Sequence, residues 1–79
     1  MDKKVTVYTT ATCPYCRMLK NFLAEKNIAF EDVDVGRDRT GREEMVRKSG
    51  QMGVPVSEID GKIIVGFDRQ AISNELGIA

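Results

Sequence analysis

The feature that most constrains the fold of this chain is a change of hydrophobic pattern at residues 13–16, Cys-Pro-Tyr-Cys. Polar and apolar residues alternate through Lys4–Thr9, with Val5 and Val7 on one face, and this period of two predicts a half-buried strand. Pro14 suits the first position of a helix, since a backbone N–H there would have no intrahelical partner. The sequence therefore predicts a strand that passes through a short loop into a helix beginning at the cysteines.

The predicted first helix runs from Pro14 to about Lys26, and Asn27 is a suitable left-handed stop. Arg17 and Lys20 are expected on its solvated face. The apolar residues recur at spacings of three and four, which predicts one buried stripe. The members of this predicted core stripe are Tyr15, Met18, Leu19, Phe22 and Leu23.

The middle of the chain predicts a second strand and a second helix. Ile28–Val35 is short and apolar enough for a strand, although its alternation breaks at two acidic residues. Thr40 and Glu43 match a capping box, in which a hydroxyl and a carboxylate each accept a backbone N–H. A helix is therefore predicted from about Gly41 to Ser49, with a narrow apolar stripe.

The last third of the chain predicts a hairpin followed by a third helix. Asp60 and Gly61 separate strands predicted at 54–59 and 62–65, and both residue types tolerate the positive φ angles of a primed turn. Asp68 is a good cap for a helix from about Arg69 to Leu76, which Gly77 would end. The element order is strand, helix, strand, helix, strand, strand, helix, which is an α/β fold.

Length and charge limit the classes of function. The 79 residues are expected to form one domain, 1–79, because a chain this short buries only roughly 60% of its extended surface. Twelve basic and twelve acidic side chains cancel, so no broad positive field is available for nucleic acid or an anionic membrane. No apolar run approaches the roughly 20 residues that span a bilayer, and no secretory segment precedes the first strand. We expect a cytoplasmic monomer that binds neither nucleic acid nor membrane.

The chain contains two cysteines and no histidine. A bridge between Cys13 and Cys16 would constrain little of the unfolded chain, which favours redox exchange over a structural staple. Cys13 falls at or just before a helix N-terminus, where unpaired N–H groups and the helix dipole favour an anion, whereas Cys16 lies inside the first turn. We therefore predict that Cys13 is the nucleophile and Cys16 the resolving thiol.

An ordered set of motifs resembles the glutaredoxin family over essentially the whole chain. The set comprises a Val-Tyr-Thr strand, Cys-Pro-Tyr-Cys, Arg-Glu-Glu-Met at 42–45, Ser-Gly at 49–50, Val-Pro at 54–55 and Gly-Phe-Asp at 66–68. The resemblance implies a thioredoxin-like fold, with a four-stranded mixed sheet in the order 2-1-3-4 and three helices. It also implies a dithiol oxidoreductase that reduces protein disulfides and mixed disulfides with glutathione. Glutathione would be the reducing co-substrate, with no tightly bound cofactor and no metal.

The resemblance further implies a glutathione site built from separate segments. Val54 and Pro55 match an element in which the proline bond is cis and the preceding backbone pairs with the cysteinyl part of glutathione. Asp68 matches the position that holds the γ-glutamyl end, and Arg42 matches a residue whose planar guanidinium reaches the glycyl carboxylate. The positions implied to bind glutathione are Tyr15, Arg42, Val54, Pro55, Gly66, Phe67 and Asp68.

Three positions depart from the family pattern and leave alternatives open. Thr10 stands where many glutaredoxins carry a basic residue, Gly53 replaces a threonine, and Val65 replaces the first glycine of a Gly-Gly pair. Gly66 and Phe67 also resemble the corresponding residues of small glutaredoxin-like redoxins, which take electrons from thioredoxin reductase and serve ribonucleotide reductase. Two further alternatives are an iron–sulfur scaffold, for which two cysteines supply too few ligands within one chain, and a redox-inert interaction module.

Overall fold

The computed structural model describes residues 3–78 and contains seven elements in the order that the sequence predicts. They are β1 (Val5–Thr9), α1 (Pro14–Glu25), β2 (Glu31–Asp34), α2 (Arg39–Ser49), β3 (Val56–Ile59), β4 (Lys62–Val65) and α3 (Arg69–Leu76). Within residues 3–78, no helix combines the length and the apolar character that a membrane crossing needs. The predicted junction of a strand and a helix at the cysteines is confirmed.

The four strands form one mixed sheet in the order β2-β1-β3-β4, which confirms the topology implied by the resemblance. β1 and β2 are parallel, whereas β3 is antiparallel to both β1 and β4. The hairpin between β3 and β4 turns at Asp60 and Gly61, whose φ angles are 49° and 89°. Both residues thus adopt the positive φ angles that the predicted hairpin requires.

Each face of the sheet buries its own hydrophobic cluster. On one face, α1 and α3 pack on the sheet, with a cluster that includes Val5, Val7, Leu19, Leu23 and Ile72. On the other face, α2 packs on the sheet around Tyr8, Val35, Met45 and Val56. The first and last helices therefore lie on one side of the sheet and the second helix on the other.

Two strands are shorter than the sequence predicts. β2 begins at Glu31 because Asn27 adopts a left-handed φ of 58° and the N–H of Ile28 donates to the carbonyl of Leu23, which keeps this segment at the helix end. β3 begins at Val56, since the preceding residue is a proline without an N–H for the ladder. The left-handed stop at Asn27 is confirmed.

The predicted capping box of α2 is wrong. The helix begins at Arg39, and its N-cap is Asp38, whose carboxylate accepts the N–H of Gly41 at 2.9 Å. Gly41 is buried, and a Cβ added there would lie 2.5 Å from Val33 Cγ1. The first turn must therefore lie directly against β2, and this packing leaves Thr40 exposed within the turn. The predicted cap of α3 at Asp68 is confirmed.

The core stripe of α1 is displaced from the predicted one. Tyr15 and Met18 are 62% and 49% exposed, and the buried residue of the first turn is Cys16. The spacing of apolar residues fits two adjacent rows of the helix, of which the sheet contacts only one. Phe22 belongs to the outer row but is covered by Phe67, with ring centroids 6.0 Å apart. The prediction that Met18 and Tyr15 form core is therefore wrong, and that for Phe22 is confirmed.

Candidate active site

Cys13 occupies the N-cap of α1, at the end of the loop that leaves β1. Its backbone is extended, with φ −91° and ψ 113°, and its Sγ accepts the N–H of Cys16 at 3.2 Å. That N–H belongs to the first turn of the helix and would otherwise lack an intrahelical partner. A thiolate at Cys13 would therefore lie at the positive end of α1. The position that the sequence predicts for this residue is confirmed.

Cys16 lies one turn further along the helix and has no exposed surface. Burial above all, and then the hydrogen bond and charge of Cys13, raise the pKa of the Cys16 thiol from 9.0 to about 11. The backbone of Thr10 and the charge of Lys20 act in the opposite direction on this pKa. Cys16 is therefore protonated at neutral pH, and the half-buried Cys13 is the more accessible sulfur of the pair.

A cis peptide bond lies next to Cys13. The bond joins Val54 to the buried Pro55, as the resemblance implies. The carbonyl oxygen of Val54 lies 3.9 Å from Cys13 Sγ. Because proline has no N–H, the ladder of β3 starts only after it, and the Val54 carbonyl faces the sulfur rather than a neighbouring strand.

Gln51 holds the turn before the cis bond, a role that the sequence does not indicate. Its side-chain amide accepts the N–H of Gly53 at 2.6 Å and donates to the Gly53 carbonyl at 3.1 Å. A Cβ added at Gly53 would lie 2.8 Å from Gln51 Oε1. Gly53, which stands where the family has a threonine, thus leaves room for the Gln51 side chain.

The segment Gly66–Asp68 is joined to the cis proline by a backbone hydrogen bond. Gly66 donates its N–H to the carbonyl of Pro55 at 2.8 Å, and its φ of 83° is one that residues with a Cβ rarely adopt. Asp68 then caps α3 by accepting the N–H of Ala71 at 3.0 Å. The structure therefore brings Gly66, with Phe67 and Asp68 after it, to the same end of the sheet as Cys13.

Two of the predicted glutathione-site residues are not joined to this group by a hydrogen bond or salt bridge among residues 3–78. Arg42 is exposed on α2, which covers the opposite face of the sheet from α1. Tyr15 follows the helix cap and is 62% exposed. Both side chains are accessible to a ligand, but the protein itself does not hold either one at the sulfur.

Lys20 is paired, which departs from the prediction of a simple solvated charge. Its ammonium donates to Asp32 Oδ2 at 2.9 Å, and Asp32 Oδ1 accepts the hydroxyl of Thr9 at 2.6 Å. Burial favours the neutral carboxyl, but the hydrogen bonds from Lys20 and Thr9 outweigh it and hold the pKa of Asp32 below its usual value. A lysine four residues after Cys16 is visible in the sequence, but its partner lies on another element.

Most of this chain matches a family of known proteins in sequence. The family model described as Glutaredoxin matches residues 5–64. The chain belongs to the glutaredoxin family. The matched range begins at the first residue of β1 and ends within β4, so it contains the cysteine pair and the cis proline.

Individual glutaredoxin relatives cover most of the chain. An uncharacterised glutaredoxin-like 8.6 kDa protein in a rubredoxin operon of Clostridium pasteurianum is 52% identical over 68 residues, which are 86% of this chain and 91% of that protein. Glutaredoxin 3 of Escherichia coli is 39% identical over 64 residues, with coverages of 81% and 77%. The solved structure of the thioredoxin-like protein BC3987 matches with a TM-score of 0.87 at 33% identity, covering 92% of this chain and 100% of that chain.

Family membership defines the class of chemistry. Glutaredoxins are thiol–disulfide oxidoreductases, and this chain is an enzyme of that class on a thioredoxin-like fold. The predictions of family, fold and enzyme class are thereby confirmed.

Proposed function

We propose that this glutaredoxin uses Cys13 and Cys16 as a dithiol that reduces protein disulfides and glutathione mixed disulfides, with glutathione as the electron donor. The observation that best supports this proposal is the asymmetry of the pair. Cys13 Sγ accepts the N–H of Cys16 at the helix cap, while Cys16 is buried and protonated. Cys13 Sγ is thus suited to attack a substrate disulfide, and Cys16 to react only after the mixed disulfide has formed. The protein would act as a single domain, 1–79, and as a cytoplasmic monomer.

The proposed reaction has two exchange steps. The Cys13 thiolate attacks one sulfur of the substrate disulfide, forms a mixed disulfide and releases the other sulfur as a thiolate. Cys16 then loses its proton and attacks Cys13 Sγ, so the substrate leaves with two electrons and the two cysteines become a disulfide. Two molecules of glutathione return the electrons and leave as glutathione disulfide. A mixed disulfide between a protein and glutathione needs Cys13 alone.

A glutathione-coupled assay with two substrates tests these assignments. Cys16→Ser should keep its activity on a glutathionylated peptide and lose it on a protein disulfide, because only the second substrate needs the resolving step. Cys13→Ser should lose both activities, although serine is a good N-cap and should preserve the helix start. Full turnover by Cys13→Ser would overturn the assignment of the nucleophile.

Glutathione would lie across Val54 and the segment Gly66–Asp68, with Arg42 and Tyr15 as further contacts. The Val54 carbonyl, 3.9 Å from Cys13 Sγ, supports pairing with the cysteinyl backbone of the ligand. Asp68 is exposed, so its carboxylate can cap α3 and still meet the γ-glutamyl ammonium group. The site would therefore be a surface groove that ends at the sulfur.

Asp68→Asn separates the two roles of this residue. Asparagine is as good an N-cap as aspartate, so the free energy of unfolding should change little. Loss of the charge should raise the KM for glutathione by roughly three- to tenfold, the size of one exposed charge-assisted contact. Asp60→Asn removes the same charge in the turn between β3 and β4, at the end of the sheet away from Cys13. It is the matched control and should leave the KM for glutathione unchanged. Equal KM values in all three proteins would remove Asp68 from the glutathione site.

A second candidate is a redoxin that thioredoxin reductase reduces and that donates electrons to ribonucleotide reductase. It is favoured by Thr10, which supplies no charge where many glutaredoxins have a basic residue, and by the similar structure described as thioredoxin-like. The decisive measurement follows the oxidised protein with each donor. Rapid reduction by glutathione supports the first proposal, whereas reduction by NADPH and thioredoxin reductase alone supports the second.

A further inference from the structure

The resolving step of the proposed reaction places an unusual demand on Cys16. This thiol must become a thiolate to attack Cys13 Sγ, yet it has no exposed surface and burial raises its pKa to about 11. The chain contains no histidine that could act as a nearby base. A group that favours the Cys16 thiolate would therefore speed this step.

A polar group of three residues, the Lys20–Asp32–Thr9 group, lies beside Cys16. Lys20 stands one helical turn after Cys16, a spacing that makes the two side chains neighbours on α1. Asp32 on β2 receives the Lys20 ammonium at 2.9 Å and the Thr9 hydroxyl at 2.6 Å. Thr9 is 2% exposed, so the group is anchored in the sheet at the end of β1. The ammonium of Lys20 is thereby held against β2, and its charge acts to lower the pKa of the Cys16 thiol.

We propose that Lys20, held by Asp32 and Thr9, is a positioning residue for the resolving step, where its charge favours the thiolate of Cys16. This inference rests on the proposed function, because it concerns the second of the two exchange steps. As Cys16 attacks, the bond between its sulfur and Cys13 Sγ forms and the bond from Cys13 Sγ to the substrate sulfur breaks. The proton lost by Cys16 is taken up by the departing substrate thiolate, directly or through solvent.

The influence of Lys20 should be greatest in the mixed disulfide. In the reduced protein Cys13 opposes ionisation of Cys16 by its hydrogen bond and its charge. Once Cys13 Sγ is bonded to the substrate it is neutral, so its charge no longer opposes that ionisation. Burial still opposes it, and the charge of Lys20 favours it. Asp32, on β2, accepts a hydrogen bond from Lys20 and fixes its position.

Reaction of the reduced protein with dithiodipyridine measures the two steps separately. This disulfide is neutral, so a change of protein charge does not alter its attraction, and each exchange releases one absorbing thiopyridone. The first equivalent reports the attack by Cys13, and the second reports the attack by Cys16 on the mixed disulfide. In Lys20→Gln the second phase should slow by roughly three- to tenfold near neutral pH, and its pH profile should move to higher pH, as expected for loss of one partly screened charge. The first phase should change less than about twofold, because Lys20 acts on the resolving sulfur.

Two variants make the result specific to the position of the charge. Lys20→Arg keeps the charge and should keep most of the rate of the second phase. Lys26→Gln removes an equal charge about 15 Å from Cys16 along the same helix, by a rise of about 1.5 Å per residue, and should leave both phases unchanged. A second phase with the same rate and pH profile in Lys20→Gln as in the unmodified protein would overturn the inference.

The same experiment distinguishes this inference from the proposed function. If Cys16→Ser still releases two equivalents, or Cys13→Ser releases the first equivalent at full speed, the assignment of the two cysteines fails. If both cysteine variants behave as proposed and Lys20→Gln slows the two phases equally, only the role of Lys20 fails. Circular dichroism of each variant confirms that a slow phase reflects chemistry rather than unfolding.

Discussion

Two sulfur atoms one helical turn apart acquire opposite properties from their surroundings. Cys13 receives a backbone N–H at the helix cap, whereas Cys16 is fully buried on the same face of α1 as Leu19 and Leu23. The position of Cys13 follows from the sequence, because Pro14 marks the helix start. The complete burial of Cys16 does not follow, since the apolar spacing of α1 favours the neighbouring row that contains Tyr15 and Met18.

The burial of Cys16 predicts that its thiol ionises at unusually high pH in the variant Cys13→Ser. With both cysteines present the pKa of Cys16 is raised, so its reactive thiolate becomes populated only as pH rises above neutral. Removing Cys13 removes two causes of the shift but leaves burial, the largest one. The midpoint of the Cys16 titration, measured by the carbon-13 NMR shift of its Cβ, should therefore lie between pH 9.0 and about pH 11.

A sample of the same variant denatured in urea is the control, and its Cys16 should titrate near the ordinary thiol value of 9.0. A native midpoint at or below that of the denatured sample would show that burial does not govern the pKa of this thiol.

At the scale of elements, the start of α2 offers a direct comparison between a sequence pattern and the contact that is formed. The carboxylate of Asp38 accepts the N–H of Gly41, so Asp38→Ala should lower the free energy of unfolding by about 1 kcal/mol. Thr40 is exposed in the first turn, so Thr40→Ala should change it by less than about 0.5 kcal/mol. Urea unfolding of both variants measures the difference. A larger loss for Thr40→Ala than for Asp38→Ala would restore the capping box.

Gly41 tests how closely α2 approaches β2. Alanine would normally stabilise a helix interior, but here its Cβ would lie 2.5 Å from Val33 Cγ1. Gly41→Ala should therefore lower the free energy of unfolding by about 1–3 kcal/mol. In a Val33→Ala background the same change should cost much less, because the obstructing methyl group is gone. Equal losses in the two backgrounds would show that the contact with Val33 does not limit this position.

The order of elements was predictable because its signals are local. Alternation identifies β1, the Asp60-Gly61 pair identifies the hairpin, and Asp68 identifies the start of α3, each within a few residues. The errors arise where a distant element decides between two local choices. Val33 on β2 settles the start of α2, and the sheet selects one of two apolar rows on α1.

The candidate site divides in the same way. The positions of the cysteines and the cis bond at Pro55 were predictable from short motifs and from the family resemblance. The ion pair of Lys20 with Asp32 joins α1 to β2. The hydrogen bonds of the Gln51 side chain to Gly53 depend on a turn whose path the sequence does not specify. Such contacts appear only when the fold has brought the segments together.

At the scale of the whole molecule, the two hydrophobic clusters lie on opposite faces of one sheet, and β1 contributes side chains to both. β1 supplies Val7 to the side covered by α1 and α3, and it supplies Tyr8 to the side covered by α2. Unfolding of the helical layer on either side would therefore expose one face of β1 to solvent. A domain of this size has a total stability of roughly 4–12 kcal/mol, so neither layer is expected to persist without the other.

Two methionines test this coupling with the same substitution. Met45 is fully buried beneath α2, on the opposite side of the sheet from α1, and Met45→Ala should lower the free energy of unfolding by about 2–5 kcal/mol. Met18 is 49% exposed, so Met18→Ala should cost less than about 1 kcal/mol and serves as the matched control. In Met45→Ala the alkylation of Cys16, on the far side of the sheet, should become fast at the same urea concentration at which the helical signal is lost. If Cys16 stays protected after α2 has unfolded, the two layers are independent and the sheet does not couple them.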